Sequence, residues 1–242
     1  MSSIYKSDFE KFLSHTKEKE ILLSEILKDV KKYSVDSILD IGAGNGLISI
    51  PLAKHVKTFQ AVERNQKFVK KLSENGIHTT QAEFPTKISG SFDLVLASHV
   101  ISYQKSVYED FIHTAWNLVK PDKVFLVITY RSQEDDWTSL ISALGQKTND
   151  FNRVGYNKIV ELLFSLGEVK IRKVTTSVET NTLNDMIDAL SFVASDGLPE
   201  RKEKFLSKRA VLEKILNSKY RTKKGFIFPF QHFFITVIKN KL

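Results

Sequence analysis

The stretch Ser37-Ile-Leu-Asp-Ile-Gly-Ala-Gly-Asn-Gly46 decides how the chain folds. Its first half is a short apolar run without helical period that ends on glycine, the pattern of a strand buried in a parallel sheet. Glycines then alternate at 42, 44 and 46 beside Asp40. Without a Cβ, a glycine backbone can turn sharply and lie against a ligand. One glycine suffices for a tight strand-to-helix turn. Three at alternate positions next to an acid point to a ligand at the carboxyl end of the strand, where open α/β sheets bind theirs. The spacing also discriminates among ligands. A dinucleotide turn of the form G-x-G-x-x-G needs glycine at the position held by Leu47, and no G-x-x-x-x-G-K-S/T run for a triphosphate occurs.

Working outward, Thr58 to Glu63 reads as a second strand. Its last residue is a carboxylate placed to accept both ribose hydroxyls of an adenosine. A helix through Phe68, Val69 and Leu72 stops at Asn75-Gly76, and Leu47 to His55 forms a helix that tolerates Pro51 in its first turn. Ile77 to Ala82, Phe92 to Ala97 and Val124 to Thr129 supply three more strands, with a helix over Val107 to Leu118. Upstream, Ile4 to Val30 has the apolar spacing of one long helix. Downstream, helices are expected at 135–145, 155–165, 182–195 and 201–217, a strand near 169–178, and a β-prone end at 226–238. This β-α alternation predicts a parallel sheet covered by helices on both faces, in a single domain over 1–242.

Composition narrows the chemistry. The chain has 242 residues and a net charge of +8. Residues 199–242 hold 12 basic and 3 acidic side chains, so the rest is close to neutral. Those charges punctuate Phe205, Leu206, Val211, Leu212, Ile215 and Leu216 in the manner of a solvated helix face, without the aromatic interleaving that stacks bases, and nucleic acid is not the expected partner. The absence of cysteine excludes disulfides, thiolate metal sites and a cysteine nucleophile. The histidines have no ligand spacing, so no metal is expected. No apolar run reaches membrane-span length, and the charged N-terminus does not read as an export signal, which makes the cytoplasm the expected compartment.

Ile38-Leu-Asp-Ile-Gly-Ala-Gly-Asn-Gly46, with Glu63 ending the second strand, resembles the class I S-adenosylmethionine-dependent methyltransferases over roughly residues 35–130. The resemblance implies a Rossmann-like α/β fold: a seven-stranded, mostly parallel sheet with an antiparallel last strand, helices on both faces and an N-terminal helical lid. It divides the domain into a lid (1–32), a cofactor-binding core (35–130) and acceptor-side helices and last strands (131–242). It implies S-adenosyl-L-methionine as cofactor, with Gly42, Gly44 and Gly46 lining its cleft, Asp40 reaching the methionine amino group and Glu63 holding the ribose. Glu83 would accept from the adenine amine, Phe84 would cover the ring, and Ser98 joins the cofactor set.

After the fourth strand the chain reads Ala97-Ser-His-Val-Ile-Ser-Tyr103. The Asn/Asp-Pro-Pro-aromatic turn of enzymes that methylate nucleobase or glutamine amides is missing. His99 reads either as a cap of the following helix or, with Tyr103, as a wall for a small polar acceptor. The N-terminal pattern Tyr5-x-x-x-Phe9-x-x-Phe12-Leu13-x-His15-Thr16-x-Glu18 resembles the opening helix of the histamine N-methyltransferase group. That second resemblance implies acceptor contacts from Tyr5, Phe9, Trp137 and His232, and catalytic roles for His99, Glu18 and Tyr103. The expected function is methyl transfer to a small-molecule amine or imidazole-like nitrogen by a monomer or homodimer. The alternatives are an RNA or protein methyltransferase docking through the basic C-terminal region, and a non-catalytic cofactor-binding protein of the same fold.

Overall fold

A computed structural model describes residues 3–101, 105–130, 135–145, 150–195 and 198–240, with the side chains of all but 3–7, 105–106 and 150–155 among them. The described strands are β1 (Ser37–Ile41), β2 (Thr58–Glu63), β3 (His78–Gln81), β4 (Phe92–Ser98), β5 (Val119–Tyr130), β6 (Glu168–Thr180), β7 (Arg221–Thr222) and β8 (Gly225–Ile238). The helices are α1 (Ser3–Ser14), α2 (Glu18–Lys32), α3 (Ser49–Ala53), α4 (Gln66–Glu74), α5 (Lys105–Asn117), α6 (Asp136–Ala143), α7 (Asp150–Leu166), α8 (Leu183–Ser195), α9 (Pro199–Leu206) and α10 (Arg209–Lys219). The chain divides into two compact units. One comprises residues 19–131, 151–174 and 232–242, the other residues 1–18, 132–150 and 175–231.

The sheet has the order β3-β2-β1-β4-β5-β8-β6, with β7 paired to β8 off that path. β1 pairs in parallel with β2 and β4, β2 with β3, and β4 with β5. β8 is antiparallel to β5. The seven-stranded path and its reversed last strand are those expected from the class I resemblance.

Period-two alternation builds both faces of the first unit. Ile38, Leu94, Leu96, Val124, Leu126 and Ile128 pack with Leu22 and Ile26 of α2. Their strand neighbours Leu39, Ile41, Val95, Ala97, Phe125 and Val127 pack with Phe111 and Ile112 of α5 and Ile159 and Leu163 of α7. Burial of a side chain of this size contributes roughly 1.5–3 kcal/mol. Strands covered on both faces therefore read as continuous apolar runs, which is why β1 and β4 were visible in the sequence.

The second unit has a different core. Phe12, Val178, Met186, Leu190, Phe205, Leu212, Leu216 and Phe228 form one cluster, drawn from α1, β6, α8, α9, α10 and β8. Here two expected helices are each broken. The helix expected over 4–30 is α1 and α2, separated at Thr16, which bridges Val178. The Thr16 hydroxyl donates to the Ser177 carbonyl at 2.8 Å and accepts from the Glu18 N–H at 3.1 Å, so it caps the new helix while tying the break to a strand. The helix expected over 201–217 is α9 and α10. Phe205 and Leu212 lie seven residues apart, two turns of one helix, so the apolar period runs straight through the interruption.

Candidate active site

The turn between β1 and α3 carries all three glycines at positive φ: +76° at Gly42, +58° at Gly44 and +81° at Gly46. That left-handed region is costly for a residue with a Cβ. Their surroundings separate them. A Cβ on Gly42 would lie 2.5 Å from Val100 Cγ2, and one on Gly46 would lie 2.6 Å from Ile50 Cδ1. A Cβ on Gly44 would meet no atom of the described residues within 4 Å. Gly42 and Gly46 are thus demanded by the protein's own packing, and Gly44 is the turn residue whose face is open to a ligand.

Glu63 holds the turn from β2. Its Oε2 accepts the Gly44 N–H at 2.8 Å and its Oε1 accepts the Asn65 N–H at 2.7 Å, while the residue is buried. Each carboxylate oxygen has a second lone pair, so the group keeps the capacity to accept two hydroxyls. Asn65 in turn caps α4 by accepting the Lys67 N–H at 3.0 Å. Asp40, near the end of β1, accepts the Ser49 hydroxyl at 2.6 Å. Burial pushes the Asp40 carboxyl up to about 6; the Ser49 hydrogen bond opposes this and the nearby Glu63 charge adds to it. A ligand ammonium beside it would favour its ionised form. The open glycine, the hydroxyl-accepting carboxylate and the buried acid are the chemistry that an adenosyl-methionine needs.

A second cluster lies beyond β4. Ser98 ends that strand, paired with Ile128. His99 donates its backbone N–H to the Ile128 carbonyl at 2.8 Å and has φ +55°. Its ring is stacked on Tyr130, 4.2 Å between centroids, and its Nε2 is 3.2 Å from His232 Nδ1. Burial, then the charges of His232 and Lys19, holds the His99 imidazole well below the usual histidine range. Val100, the residue after His99, is the side chain that excludes a Cβ at Gly42, so the two clusters adjoin.

The model of a methyltransferase domain matches residues 9–159, more than half of the sequence. The chain belongs to the methyltransferase-domain family. No curated protein matches by sequence. Among solved structures, this methyltransferase domain is similar to the YcgJ protein from Bacillus subtilis at 14% identity, with 91% of this chain and 98% of that one covered and a TM-score of 0.59. It is similar to the N-methyltransferase NodS from Bradyrhizobium japonicum WM9, solved with S-adenosyl-L-homocysteine, at 10% identity, 99% and 100% coverage and a TM-score of 0.58. It is also similar to the plantazolicin methyltransferase BpumL, solved with S-adenosyl-L-homocysteine, at 11% identity, 98% and 90% coverage and a TM-score of 0.55. At these identities the likeness is one of fold.

The other expected site residues are distributed as follows. Glu83 is exposed and pairs with Arg64 at 3.3 Å. Phe84 is buried edge-on against Phe111, 4.8 Å between centroids, and so belongs to the core under the cleft. Phe9, Glu18 and Trp137 belong to the other unit. There Phe9 packs on Phe192, and Trp137 packs among Phe205, Phe228 and Phe230. Glu18 is buried at the start of α2. Tyr5 lies in α1 with its side chain outside the described residues, as is the whole of Tyr103. Sequence reading missed Ser49, Asn65 and Tyr130. A hydroxyl at the start of α3 and an Asn-capped α4 were local signals for the first two. Tyr130 becomes visible only through the β5–β8 register that sets it opposite His232.

Proposed function

We propose that this domain transfers a methyl group from S-adenosyl-L-methionine to a small-molecule acceptor through an amine or imidazole-like nitrogen. The observation that carries the reading is the Gly44–Glu63 arrangement: an open glycine whose N–H is held by a carboxylate with spare acceptor capacity. Gly44 and Glu63 would take the adenosyl part, and Asp40 the methionine ammonium. When bound, the cofactor supplies an electrophilic methyl group. The protein's part is to orient the acceptor, exclude water and receive a proton.

Acceptor contacts are assigned to Tyr5, Phe9, Glu18, Trp137 and Tyr103 on the strength of the N-terminal resemblance, and to His99 and His232 on geometry. Phe9 and Trp137 are half-buried, which leaves an edge of each ring for such a contact. NodS is an N-methyltransferase and BpumL acts on plantazolicin, so the fold accommodates nitrogen acceptors and substrates of that kind. The basic segment favours a solvated face over an RNA dock: Phe205, Leu212 and Leu216 are buried, while Lys204, Lys208, Lys214 and Lys219 face outward. Among the described residues no helix is long and apolar enough to cross a membrane.

Isothermal titration with S-adenosyl-L-homocysteine tests the cofactor, and a product-release screen over amines, imidazoles, phenols, carboxylates and RNA tests the acceptor. Binding that is lost in folded Gly44→Val supports the site. Wild-type protein that binds neither form of the cofactor overturns it, and RNA as the best acceptor overturns the small-molecule assignment.

A further inference from the structure

His99, Tyr130 and His232 come from three strands and meet as three rings. His99 follows β4, Tyr130 ends β5, and His232 lies opposite Tyr130 in the antiparallel β5–β8 pairing. The His99 and His232 rings lie edge to face at 5.2 Å, and the Tyr130 ring is 4.9 Å from that of His232. Packing explains the contacts among the rings but leaves two features of His99 unaccounted for. Its backbone sits at φ +55°, a left-handed conformation that a side chain enters only at a cost. Its Nδ1 is sealed from solvent and has no hydrogen-bond partner among the described residues. A strained residue and an orphaned ring nitrogen both weaken a fold, and both fall on one side chain next to the cofactor turn.

Two neutral imidazoles in contact share one proton in one of two ways. If His99 Nε2–H donates to His232 Nδ1, the orphaned Nδ1 of His99 is a bare lone pair. If His232 donates, that nitrogen carries an N–H and can accept nothing. Among buried backbone groups, orphaned donors are rarer than under-satisfied acceptors, which favours the first arrangement.

We infer that the His99–His232 pair is the proton acceptor of the methyl-transfer site, with His99 Nδ1 as the receiving atom, and that it selects an acceptor nitrogen that binds uncharged, an arylamine or a heteroaromatic N–H, over an alkylammonium ion. This rests on the methyltransferase reading above. The acceptor nitrogen uses its lone pair to form the new N–C bond, while the donor's S–C bond breaks with its electron pair staying on sulfur. The acceptor's N–H proton passes to His99 Nδ1, and the imidazolium releases it to water as the products leave. His232 on β8 holds the proton of His99 on Nε2 through the shared hydrogen bond, and Tyr130 on β5 fixes the ring plane. Lys19 on α2 and His232 make the surroundings unfavourable to a cation, as does burial. A weak base in such a place can take a proton from an N-methylated arylammonium, which is acidic, and not from an alkylammonium, which holds its proton tightly.

Ring-nitrogen NMR on the full chain labelled with 15N-histidine tests the assignment, with S-adenosyl-L-homocysteine titration on the same samples. We expect His99 to stay neutral as pH falls past the ordinary histidine value of about 6.5, with its proton on Nε2. His232→Gln should move the His99 titration upward and change its ring shifts. His99→Gln should lower kcat for aniline or imidazole probes at least about tenfold, with KM and S-adenosyl-L-homocysteine affinity changing less than about threefold. A proton found on Nδ1, ring shifts indifferent to His232→Gln, or an alkylamine as the fastest acceptor overturns the inference while leaving the methyltransferase reading intact. Failure of the wild-type protein to bind S-adenosyl-L-homocysteine would instead remove the reading beneath it.

Discussion

Residues 40–46 and the rings of His99, Tyr130 and His232 adjoin through Val100, yet they are built in opposite ways. The glycine turn is contiguous, and most of its geometry serves itself: Gly42 and Gly46 make room for Val100 and Ile50, and Gly44 alone faces open space. The ring cluster is drawn from positions 31 and 102 residues apart, and it holds strain and a nitrogen with no partner among the described residues. A region that binds an invariant ligand can be local and well satisfied. The region we propose to recognise the acceptor and take its proton is assembled over distance and left partly unsatisfied, which is where function and stability conflict.

The largest expected effect separates the glycines. Gly42→Ala combines left-handed strain with overpacking against Val100 and should destabilise the protein by about 2–5 kcal/mol in denaturant titrations. Gly44→Ala carries only the conformational cost, about 1–2 kcal/mol, yet should lose more cofactor affinity than its stability loss explains. Equal destabilisation by the two would break the division between packing glycines and a ligand-facing one.

Next comes Glu63→Gln. One carboxylate oxygen becomes an NH2 that faces a backbone N–H, either that of Gly44 or that of Asn65, so one hydrogen bond is lost and a donor is left unpaired. We expect a stability loss of about 1–3 kcal/mol together with weaker S-adenosyl-L-homocysteine binding. Intact binding in the destabilised variant would restrict Glu63 to holding the turn.

Asp40→Asn should act in the other direction. The folded-state carboxyl is raised to about 6 from 3.8, so the folded protein holds this proton more tightly than the unfolded chain. Ionising it costs stability as pH rises from about 4 to about 6, and the full cost is present above that. The variant should therefore be more stable than the parent above pH 6, by roughly 1–3 kcal/mol, with the difference vanishing below about pH 4. Thermal melts across that range check the sign. Cofactor binding should weaken in the same variant, a trade of function for stability.

The smallest effect is expected from Tyr130→Ala. Tyr130 is 40% exposed, and loss of its stack on His99 should cost about 0.5–1.5 kcal/mol beyond the buried area. Its value is as a contrast, because S-adenosyl-L-homocysteine affinity should stay unchanged while the His99 titration moves toward the ordinary range. A fall in cofactor affinity would merge the two regions into one site.

The legible part of this protein was its locally encoded part. β1, β2 and β4 announce themselves because a strand buried on both faces must be apolar throughout, and Ser37 to Ile41 or Phe92 to Ala97 can satisfy that in no other way. Asp40, Gly44 and Glu63 could be picked out because a turn at a strand end constrains residue type within a few positions. The fold class and the methyltransferase family were readable from these local patterns, and so were the residues proposed for the cofactor. Tertiary structure decided the rest. It broke the N-terminal helix at Thr16, because a strand contact to Val178 outweighs helix continuity. It gave Gly42 and Gly46 their reason in Val100 and Ile50, and turned Phe84 into the core. It also brought Tyr130 and His232 to His99 through an antiparallel register that no local pattern contains. Such contacts depend on which strands become neighbours, and that choice is made by burying both faces of the whole sheet at once.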